Sequence, residues 1–376
     1  MGPEVIVTTC EQNSDYLPYY AKRASFPLLV EPAQGATWTS LINHRSKIQT
    51  ALRERGAILL RGWNTSTPAA FTGSLEAVLG PGAFLHRNST LRGVPGGTLS
   101  RTKIDGHPHI FSASEAPPTW FIPHHCEQSY CNNRCRYIAF WCRERASFGG
   151  QTPIFDMRKT YESLSPRLQN VLLDSYFKVG PGWGPYRSPE VFKVVFGTQV
   201  KEEIDMLLES NGMVPTWSVM NGESTLTVAG ETPMAVKHPD SGEMCLTDHI
   251  DIHSFALWAC HLNYFNLNKV PTSILFFFCN LLLWLLQRFR PSSVGQMCMP
   301  HTSNGPLSLR DRLDINAAVY KNASFFRWLS NDILIIDNVR MAHARMPFKG
   351  PRSMCTSMIG TYDARSGGAT AIGTES

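Results

Sequence analysis

The chain has 376 residues, of which 43% are hydrophobic and 11% aromatic, enough apolar material for one large core or two ordinary ones. Its formal charge of +5 comes from 35 basic and 30 acidic residues. No block of five or six like charges occurs, which argues against a nucleic-acid partner and favours a globular protein.

The N-terminal stretch MGPEVIVTTCEQNSDYL has no basic region and carries acidic residues early, so it does not match a signal or transit peptide. The ten cysteines form no C-x-x-C pair, which argues against a zinc ribbon or a thioredoxin-type site. We therefore expect a cytoplasmic protein with reduced thiols.

Helix and strand patterns are mixed along the chain. Residues 39–55 predict an amphipathic helix that ends at Gly56 and buries one face, formed by Leu41, Ile42, Ile48, Ala51 and Leu52. Short buried strands are predicted at Ala57–Leu60, Arg136–Cys142 and Asp332–Asn338, and a second helix at Ser165–Tyr176. Because the strands show no regular alternation with helices, we predict an α+β fold built around a mainly antiparallel sheet.

The most apolar segment is Val270–Gln287, VPTSILFFFCNLLLWLLQ. Its unbroken part, Ile274–Leu286, has 13 residues and contains Asn280, whereas a spanning helix needs about 17–25 residues. We therefore expect no membrane span, and a buried or dimer-forming helix is the ordinary alternative. The C-terminal residues 366–376, SGGATAIGTES, have the composition of a disordered tail.

A candidate metal motif lies in PHHCEQSY, residues 123–130. Alternate residues of a strand point to the same side, so His125 and Glu127 can face one cavity. Two histidines and one carboxylate bind ferrous iron and leave positions open for other ligands. The pair His249 and Asp251 has the same spacing, and spacing alone does not choose between the two pairs.

Four segments resemble, in order and spacing, the taurine dioxygenase (TauD/TfdA-like) family of iron(II)- and 2-oxoglutarate-dependent oxygenases. They are RGAILLRGW at 55–63, PHHCEQSY at 123–130, GGQTP at 149–153 and SNDILIIDNVRMAHARMPFKGPR at 330–352. The resemblance covers roughly Gly56–Thr361. It implies one domain, 1–365, with a double-stranded β-helix (jelly-roll) core and flanking helices.

The resemblance also implies the site residues. The iron ligands fall on His125, Glu127 and His343, which leaves His124 and Cys126 facing the opposite side. Thr152, 27 residues after His125, takes the place of the threonine that binds 2-oxoglutarate. Arg352 takes the place of the arginine that pairs with the far carboxylate of this co-substrate, with Arg345 as the alternative. Iron(II), 2-oxoglutarate and O2 are thus the expected cofactor and co-substrates.

The implied reaction is oxidation of an unactivated C–H bond of a small molecule, by hydroxylation as the default, with release of succinate and CO2. Candidate substrate-binding residues are Arg345, His249, Asp251 and Arg101. A non-catalytic binding or scaffold protein of the same fold is one alternative. A zinc hydrolase built from His249, Asp251 and His343 is another.

The apolar segment 270–287 departs from the family pattern. Without it, NYFNLNK at 263–269 joins RFRPSSV at 288–294, which is similar to a continuous stretch in relatives. A hypothesis follows that residues 270–287 are translated from an unspliced intron.

Overall fold

The structure is a computed structural model. It describes residues 6–9, 26–33, 35–84, 101–113, 116–119, 122–179, 186–247, 281, 299–303 and 305–367. The segment 270–287, apart from residue 281, and the tail from residue 368 onward lie outside the described residues, as do His249 and Asp251.

The helices and strands alternate irregularly along the chain. The helices are a 3-10 helix at Trp38–His44, α1 Arg45–Arg55, α2 Pro68–Leu79, α3 Met157–Ser163, α4 Pro166–Leu173, α5 Pro189–Phe196, α6 Lys201–Ser210 and α7 Leu309–Lys321. The first strands are β1 Ile6–Thr9, β2 Leu28–Glu31, β3 Ala57–Leu60, β4 Phe111–Ser112, β5 Ile122–His125, β6 Asn133–Arg134, β7 Tyr137–Glu144, β8 Phe148–Gly149, β9 Ile154–Asp156, β10 Ser175–Val179, β11 Tyr186–Arg187 and β12 Met213–Met220. The remaining strands are β13 Glu223–Pro233, β14 Ala235–Lys237, β15 Met244–Leu246, β16 Met299–Thr302, β17 Gly305–Pro306, β18 Ala323–Ser324, β19 Ile333–Asp337, β20 Met341–Arg345, β21 Phe348–Lys349, β22 Ser353–Ile359 and β23 Tyr362–Asp363.

The largest sheet has seven strands in the order β1-β2-β3-β19-β7-β22-β4. All of its pairings are antiparallel except β2 with β3. Alternate residues of β19 enter two different cores: Ile333 and Ile335 pack with α1 and α2, whereas Leu334 and Ile336 pack on the other face. The sheet is therefore buried on both faces at its centre, as the all-apolar run of β19 requires.

A four-stranded antiparallel sheet, in the order β18-β9-β20-β5, packs against that second face. Ile154 of β9 and Met341 of β20 share a core with Leu334 and Ile336 of the large sheet. On its far side, Ala342 and Ala344 pack with residues of α3, α4 and α7. The described chain is thus layered, with helices outside two facing sheets.

The remaining strands form a third sheet and three short two-stranded pairs. The order of the six-stranded sheet is β11-β13-β10-β16-β17, with β12 pairing β13, and the short pairs are β14-β15, β21-β8 and β23-β6. Within the described ranges, no helix has the length and apolar character needed to cross a membrane.

The observed fold is mixed α+β with mainly antiparallel sheets, as predicted. Gly56 ends α1 with φ +75° and its N–H bonds the Leu52 carbonyl, and β3 has the predicted bounds. The predicted helix Ser165–Tyr176 is shorter, because Ser165 caps α4 and Tyr176 belongs to β10. The placement of Ile42 on the buried face was wrong, since this residue is 53% exposed. It lies in the 3-10 helix, whose period of three residues breaks the expected helical stripe.

Six cysteines fall within the described residues, and all six are buried free thiols: Cys126, Cys131, Cys135, Cys142, Cys245 and Cys355. Burial raises the pKa of the Cys142 thiol to about 12 and moves the pKa values of Cys135 and Cys245 well above the ordinary value. These side chains act as small apolar core residues.

Candidate active site

Strands β5 and β20 bring two histidines together between the two sheets. Their antiparallel pairing places His125 opposite His343, and the two ring centroids are 4.3 Å apart. The His343 ring also lies 4.9 Å from the ring of Phe140, on β7 of the facing sheet. His124 points the other way, towards Phe155 and Tyr320 on the helix side. The pleat of β5 therefore separates the two adjacent histidines.

Glu127 follows β5 and completes a cluster with the two histidines. Its carboxylate Oε2 lies 3.7 Å from Nε2 of His343. One nitrogen from each of His125 and His343 and one oxygen from Glu127 lie within 4.8 Å of one another. Cys126, between the two motif residues, joins the helix-side core instead. The structure thus brings together the three residues that the motifs selected.

The chemistry of this cluster fits a divalent metal. Nδ1 of His125 donates a hydrogen bond to the carbonyl of Pro123 at 2.8 Å, which leaves Nε2 as the nitrogen with the lone pair. Burial lowers the pKa of His125 and lowers that of His343 well below its usual value, so both rings are held in the neutral form that binds metals. Two imidazoles and one carboxylate suit a first-row divalent ion such as iron(II).

Asn338 holds the backbone of Glu127 on both sides. Its Oδ1 accepts the Glu127 N–H at 2.8 Å, and its Nδ2 donates to the Glu127 carbonyl at 2.9 Å. The same Nδ2 donates to the Cys135 carbonyl at 2.9 Å. Asn338 is 3% exposed, so these bonds are shielded from water and fix the carboxylate-bearing residue against the end of β19.

The residue before it, Asp337, fixes the turn that carries Asn338. Its carboxylate forms a buried ion pair with Arg136 and accepts a hydrogen bond from Nε2 of His238 at 2.8 Å. The same side chain accepts the Val339 N–H at 3.1 Å. The positive charge of Arg136 and the His238 hydrogen bond keep the pKa of Asp337 below its usual value despite burial, so the turn is held by a full carboxylate charge.

Arg101 contacts the cluster from the segment that precedes β4. Its Nη2 lies 2.6 Å from Oε2 of Glu127, and its side chain is 18% exposed. A substrate contact was expected for Arg101 from the sequence. The structure places its guanidinium on a predicted metal ligand, at the edge of the site.

Thr152 lies further along the same small sheet. The Ala344 N–H bonds the Pro153 carbonyl at 2.9 Å and the Met346 N–H bonds the Gln151 carbonyl at 3.0 Å, which puts Thr152 across from Arg345. Along the strand direction, Thr152 therefore lies two residues, or about 7 Å, away from His343. Its Oγ1 accepts a hydrogen bond from Nε1 of Trp328 at 3.1 Å.

Arg352 packs against Gly150, near Thr152. Its Nε donates to the Gly150 carbonyl at 3.1 Å, and a Cβ at Gly150 would lie 3.0 Å from both Cδ and Nε of Arg352. Arg352, Gln151 and Trp328 line one cavity. Burial and the nearby charge of Arg345 lower the pKa of Arg352 to about 10. A cation destabilised in this way is a favourable partner for an anion.

The guanidinium of Arg345 contacts backbone. Its Nη1 donates to the Ala116 carbonyl at 2.7 Å, and its Nη2 donates to the Pro117 carbonyl at 2.6 Å. Burial lowers the pKa of Arg345 to about 10. These bonds attach β20 to the segment that leads into β5.

Two residues with clear contacts to the site escaped sequence reasoning, Trp328 and Asn338. Trp328 lies four residues before the strand predicted at Asp332–Asn338, and Asn338 is the last residue of that strand; the sequence showed no more than these positions. The spacing of a motif does not show which side chain reaches a residue about 180–210 positions earlier in the chain.

Comparisons with known proteins identify the family to which the chain belongs. The sequence profile of the family described as "Taurine catabolism dioxygenase TauD, TfdA family" matches residues 24–248, more than half of the chain. The match includes His125, Glu127 and Thr152 and ends before His343. The chain is 22% identical over 321 residues to the dapdiamide synthesis protein DdaC of Enterobacter agglomerans, covering 83% of this chain and 84% of that protein. It is 24% identical over 328 residues to a clavaminate synthase-like protein of Arabidopsis thaliana, covering 83% of both.

Solved structures show the same fold. A taurine dioxygenase from Burkholderia xenovorans is similar with a TM-score of 0.50 and 14% identity, covering 100% of this chain and 96% of that one. A protein named AAD-2, solved with Mn(II) and N-oxalylglycine, is similar with a TM-score of 0.52 and 10% identity, covering 96% and 99% of the two chains. The chain belongs to the TauD/TfdA family of dioxygenases. Its function is that of an iron(II)- and 2-oxoglutarate-dependent oxygenase.

Proposed function

We propose that His125, Glu127 and His343 hold the iron and that Thr152 and Arg352 hold 2-oxoglutarate. The observation that carries the proposal is the cluster of two histidine nitrogens and one carboxylate oxygen within 4.8 Å. Its protein ligands carry one negative charge, which suits a divalent cation. Bound together, iron and 2-oxoglutarate would activate O2, which is the oxidant for a C–H bond.

The residues at the metal end have defined tasks in this proposal. His125 is oriented by its bond to the Pro123 carbonyl, and Asn338 fixes the backbone of Glu127. Such contacts orient a ligand before the metal arrives and raise its affinity. Phe140 packs beside the His343 ring, with the two ring centroids 4.9 Å apart, and adds an apolar surface at this end of the site.

The residues at the co-substrate end lie about 7 Å along the sheet from the metal end. A five-carbon dicarboxylate can reach from one end to the other. Its far carboxylate then meets the guanidinium of Arg352 and the hydroxyl of Thr152, both of which can donate hydrogen bonds. An arginine that is destabilised by burial gains most from such an anion.

We propose hydroxylation as the reaction. One oxygen atom of O2 enters the C–H bond of the substrate and the other enters succinate, and the lost carboxylate leaves as CO2. The relative named for dapdiamide synthesis supports a small molecule of specialised metabolism as the substrate. Arg101 at the edge of the site is the described candidate for contact with it, and Arg345 is a weaker candidate because it bonds backbone carbonyls. His249 and Asp251 complete the proposed set of substrate-binding residues.

We also propose a double-stranded β-helix as the core of a single domain, 1–365. The two facing sheets and the likeness to family structures support it. The segment 270–287 is proposed to come from a retained intron, on sequence grounds. Sequencing the messenger RNA across this region tests the idea, and a dominant transcript that keeps these codons would remove it.

An anaerobic titration tests the proposed function. Iron(II) is added to the protein and then 2-oxoglutarate, and the weak visible charge-transfer absorption of the complex is followed. The wild type should develop this absorption, and the His343→Ala variant should not. A wild-type protein that develops none is a non-catalytic member of the fold or a hydrolase. Succinate formation under oxygen, measured by NMR, is the second readout and should depend on the same residue.

A further inference from the structure

Trp328 directs the hydroxyl of Thr152. Its indole Nε1 donates to Oγ1 of Thr152 at 3.1 Å, in a buried position. An indole N–H can only donate, so the threonine oxygen must accept there. Within the described part of the chain, this is the hydrogen bond that the Thr152 hydroxyl makes, which leaves its own proton for another acceptor. We infer that Trp328 is a positioning residue that turns the Thr152 O–H into a donor aimed at the 2-oxoglutarate carboxylate.

The indole is itself held in place by its neighbours. Trp328 is 4% exposed, and its ring packs edge-on against Phe326 with centroids 4.9 Å apart. It lines the same cavity as Arg352. The donor therefore belongs to the wall of a cavity that Arg352 also lines.

The backbone on both sides of Trp328 is also fixed. Arg61 donates from Nη2 to the Arg327 carbonyl at 2.8 Å, and the Leu329 N–H donates to the Asp332 carboxylate at 2.8 Å. Arg61 and Asp332 form an ion pair at 2.7 Å that closes this arrangement. Because this segment is rigid, the Trp328 N–H already points in one direction before the ligand binds. Binding therefore costs little conformational entropy at this residue.

The direction of the Thr152 hydroxyl proton matters because an ionised carboxylate accepts hydrogen bonds and cannot donate them. A threonine hydroxyl can turn either its proton or a lone pair to a neighbour. A lone pair turned to the carboxylate would repel it, whereas the proton attracts it. Because the Trp328 N–H excludes the proton from one of the three positions around Oγ1, the attractive orientation is populated more often before the ligand binds. This inference rests on the proposed contact of Thr152 with 2-oxoglutarate.

Binding measurements test it with four proteins: wild type, Trp328→Phe, Thr152→Ala and the double variant. The apparent dissociation constant of 2-oxoglutarate is measured anaerobically with iron(II), and the affinity for iron(II) alone is measured separately. Thr152→Ala should weaken 2-oxoglutarate binding about ten- to a hundredfold, since hydrogen bonds to charged groups are the stronger ones. Trp328→Phe should weaken it about three- to tenfold and leave the iron affinity unchanged.

The double variant separates positioning from cavity shape. If Trp328 acts only through the hydroxyl, then Trp328→Phe should cause no further loss in a protein that already carries Thr152→Ala. An equal loss in both backgrounds would overturn the inference. If Thr152→Ala itself leaves 2-oxoglutarate affinity intact, the proposed role of Thr152 fails instead, and the two failures are distinguishable.

Trp63 provides the matched control. It is 1% exposed, and its Nε1 donates a buried hydrogen bond at 2.8 Å to the Val30 carbonyl, in the core packed by α1 and α2. Trp63→Phe removes the same kind of bond as Trp328→Phe. It should lower the melting temperature by a similar amount and leave 2-oxoglutarate affinity at the wild-type value. An equal affinity loss in both variants would contradict the positioning role.

A spectroscopic measurement covers the case in which Trp328→Phe fails to fold. The nine tryptophans are labelled with nitrogen-15 on the indole, and their N–H signals are recorded with diamagnetic zinc(II) as the metal. Thr152→Val should move one signal, because it removes the acceptor of the Trp328 proton. In the wild type, 2-oxoglutarate should move that same signal. If no indole signal responds to both changes, the inference is wrong.

Discussion

The proposed metal end of the site offers lone pairs and a negative charge, whereas the proposed co-substrate end offers proton donors and a positive charge. His125, His343 and Glu127 form the first end, and Thr152 and Arg352 form the second. Each end is thus complementary to a ligand of the opposite character, a cation in one case and a carboxylate in the other. Because the two ends differ in this way, mutations should change the affinity for iron and the affinity for 2-oxoglutarate independently. Variants at one end should leave the binding constant of the other ligand nearly unchanged.

The largest expected effect comes from the two adjacent histidines. His125→Ala should lower iron affinity by at least about a thousandfold and abolish succinate formation, because it removes one of the three proposed protein ligands. His124→Ala is the matched control, since His124 faces Phe155 and Tyr320. It should lower the melting temperature and keep metal binding. Calorimetric titration with iron(II) or manganese(II) measures both, and loss of metal binding in His124→Ala alone would reverse the ligand assignment.

The next largest effect is expected for Arg352, at the proposed co-substrate end. Arg352→Ala should weaken 2-oxoglutarate binding about a hundredfold or more, since leaving one partner of a buried charge pair alone costs about 3–5 kcal/mol. Iron affinity should stay within about twofold, because the guanidinium is expected to touch only the co-substrate. Binding of 2-oxoglutarate to the metal-loaded protein is the measurement.

Arg345→Ala is the companion to that variant. Its bonds to the Ala116 and Pro117 carbonyls predict a loss of stability and a small change in 2-oxoglutarate affinity. A large affinity loss in Arg345→Ala together with a mild one in Arg352→Ala would exchange the roles of the two arginines.

A smaller effect is expected at Asn338, which acts on the metal end through the backbone of Glu127. Asn338→Ala should weaken iron affinity about ten- to a hundredfold, as for other residues that orient metal ligands. The dissociation constant of 2-oxoglutarate, measured at saturating metal, should hardly change. If that constant rises as much as the constant for iron, the two ends are coupled and their separation fails.

The smallest effect is expected at Gly150. A Cβ there would meet Arg352 at 3.0 Å, so Gly150→Ala should shift the guanidinium and weaken 2-oxoglutarate binding by about three- to tenfold. Gly242→Ala is the control, because both glycines have φ +71° and a Cβ at Gly242 would meet nothing within 4 Å. The two variants share the backbone strain, and only Gly150→Ala should change affinity. Equal 2-oxoglutarate affinities in Gly150→Ala and Gly242→Ala would show that a shift of the Arg352 guanidinium does not affect binding.

Prediction from the sequence succeeded where a local pattern determines the structure. The buried strands at Ala57–Leu60 and Ile333–Asp337 follow from apolar runs bounded by turns, and the end of α1 follows from the need for a left-handed residue at Gly56. The candidate ligand pair follows from strand alternation. The placement of Ile42 failed because the same apolar pattern can enter a helix of different period.

The supporting contacts could not be predicted, since they join distant segments. Trp328 and Thr152 are 176 positions apart, and Asn338 and Glu127 are 211 positions apart. Only the packing of the two sheets decides that these side chains meet. Arg101 shows the same limit: its charge was visible in the sequence, but its pairing with Glu127 depends on how the segment before β4 crosses the site.

The buried thiols have a consequence for an enzyme that handles oxygen. Oxidants attack the thiolate form of cysteine, which then proceeds through sulfenic acid to irreversible products. Because burial raises the pKa of Cys142 to about 12, almost none of this thiol is ionised at neutral pH. Cys142 also lines the cavity beside Arg352. The core therefore places a thiol that is almost entirely un-ionised, and so slow to react with such oxidants, beside the arginine proposed to bind 2-oxoglutarate.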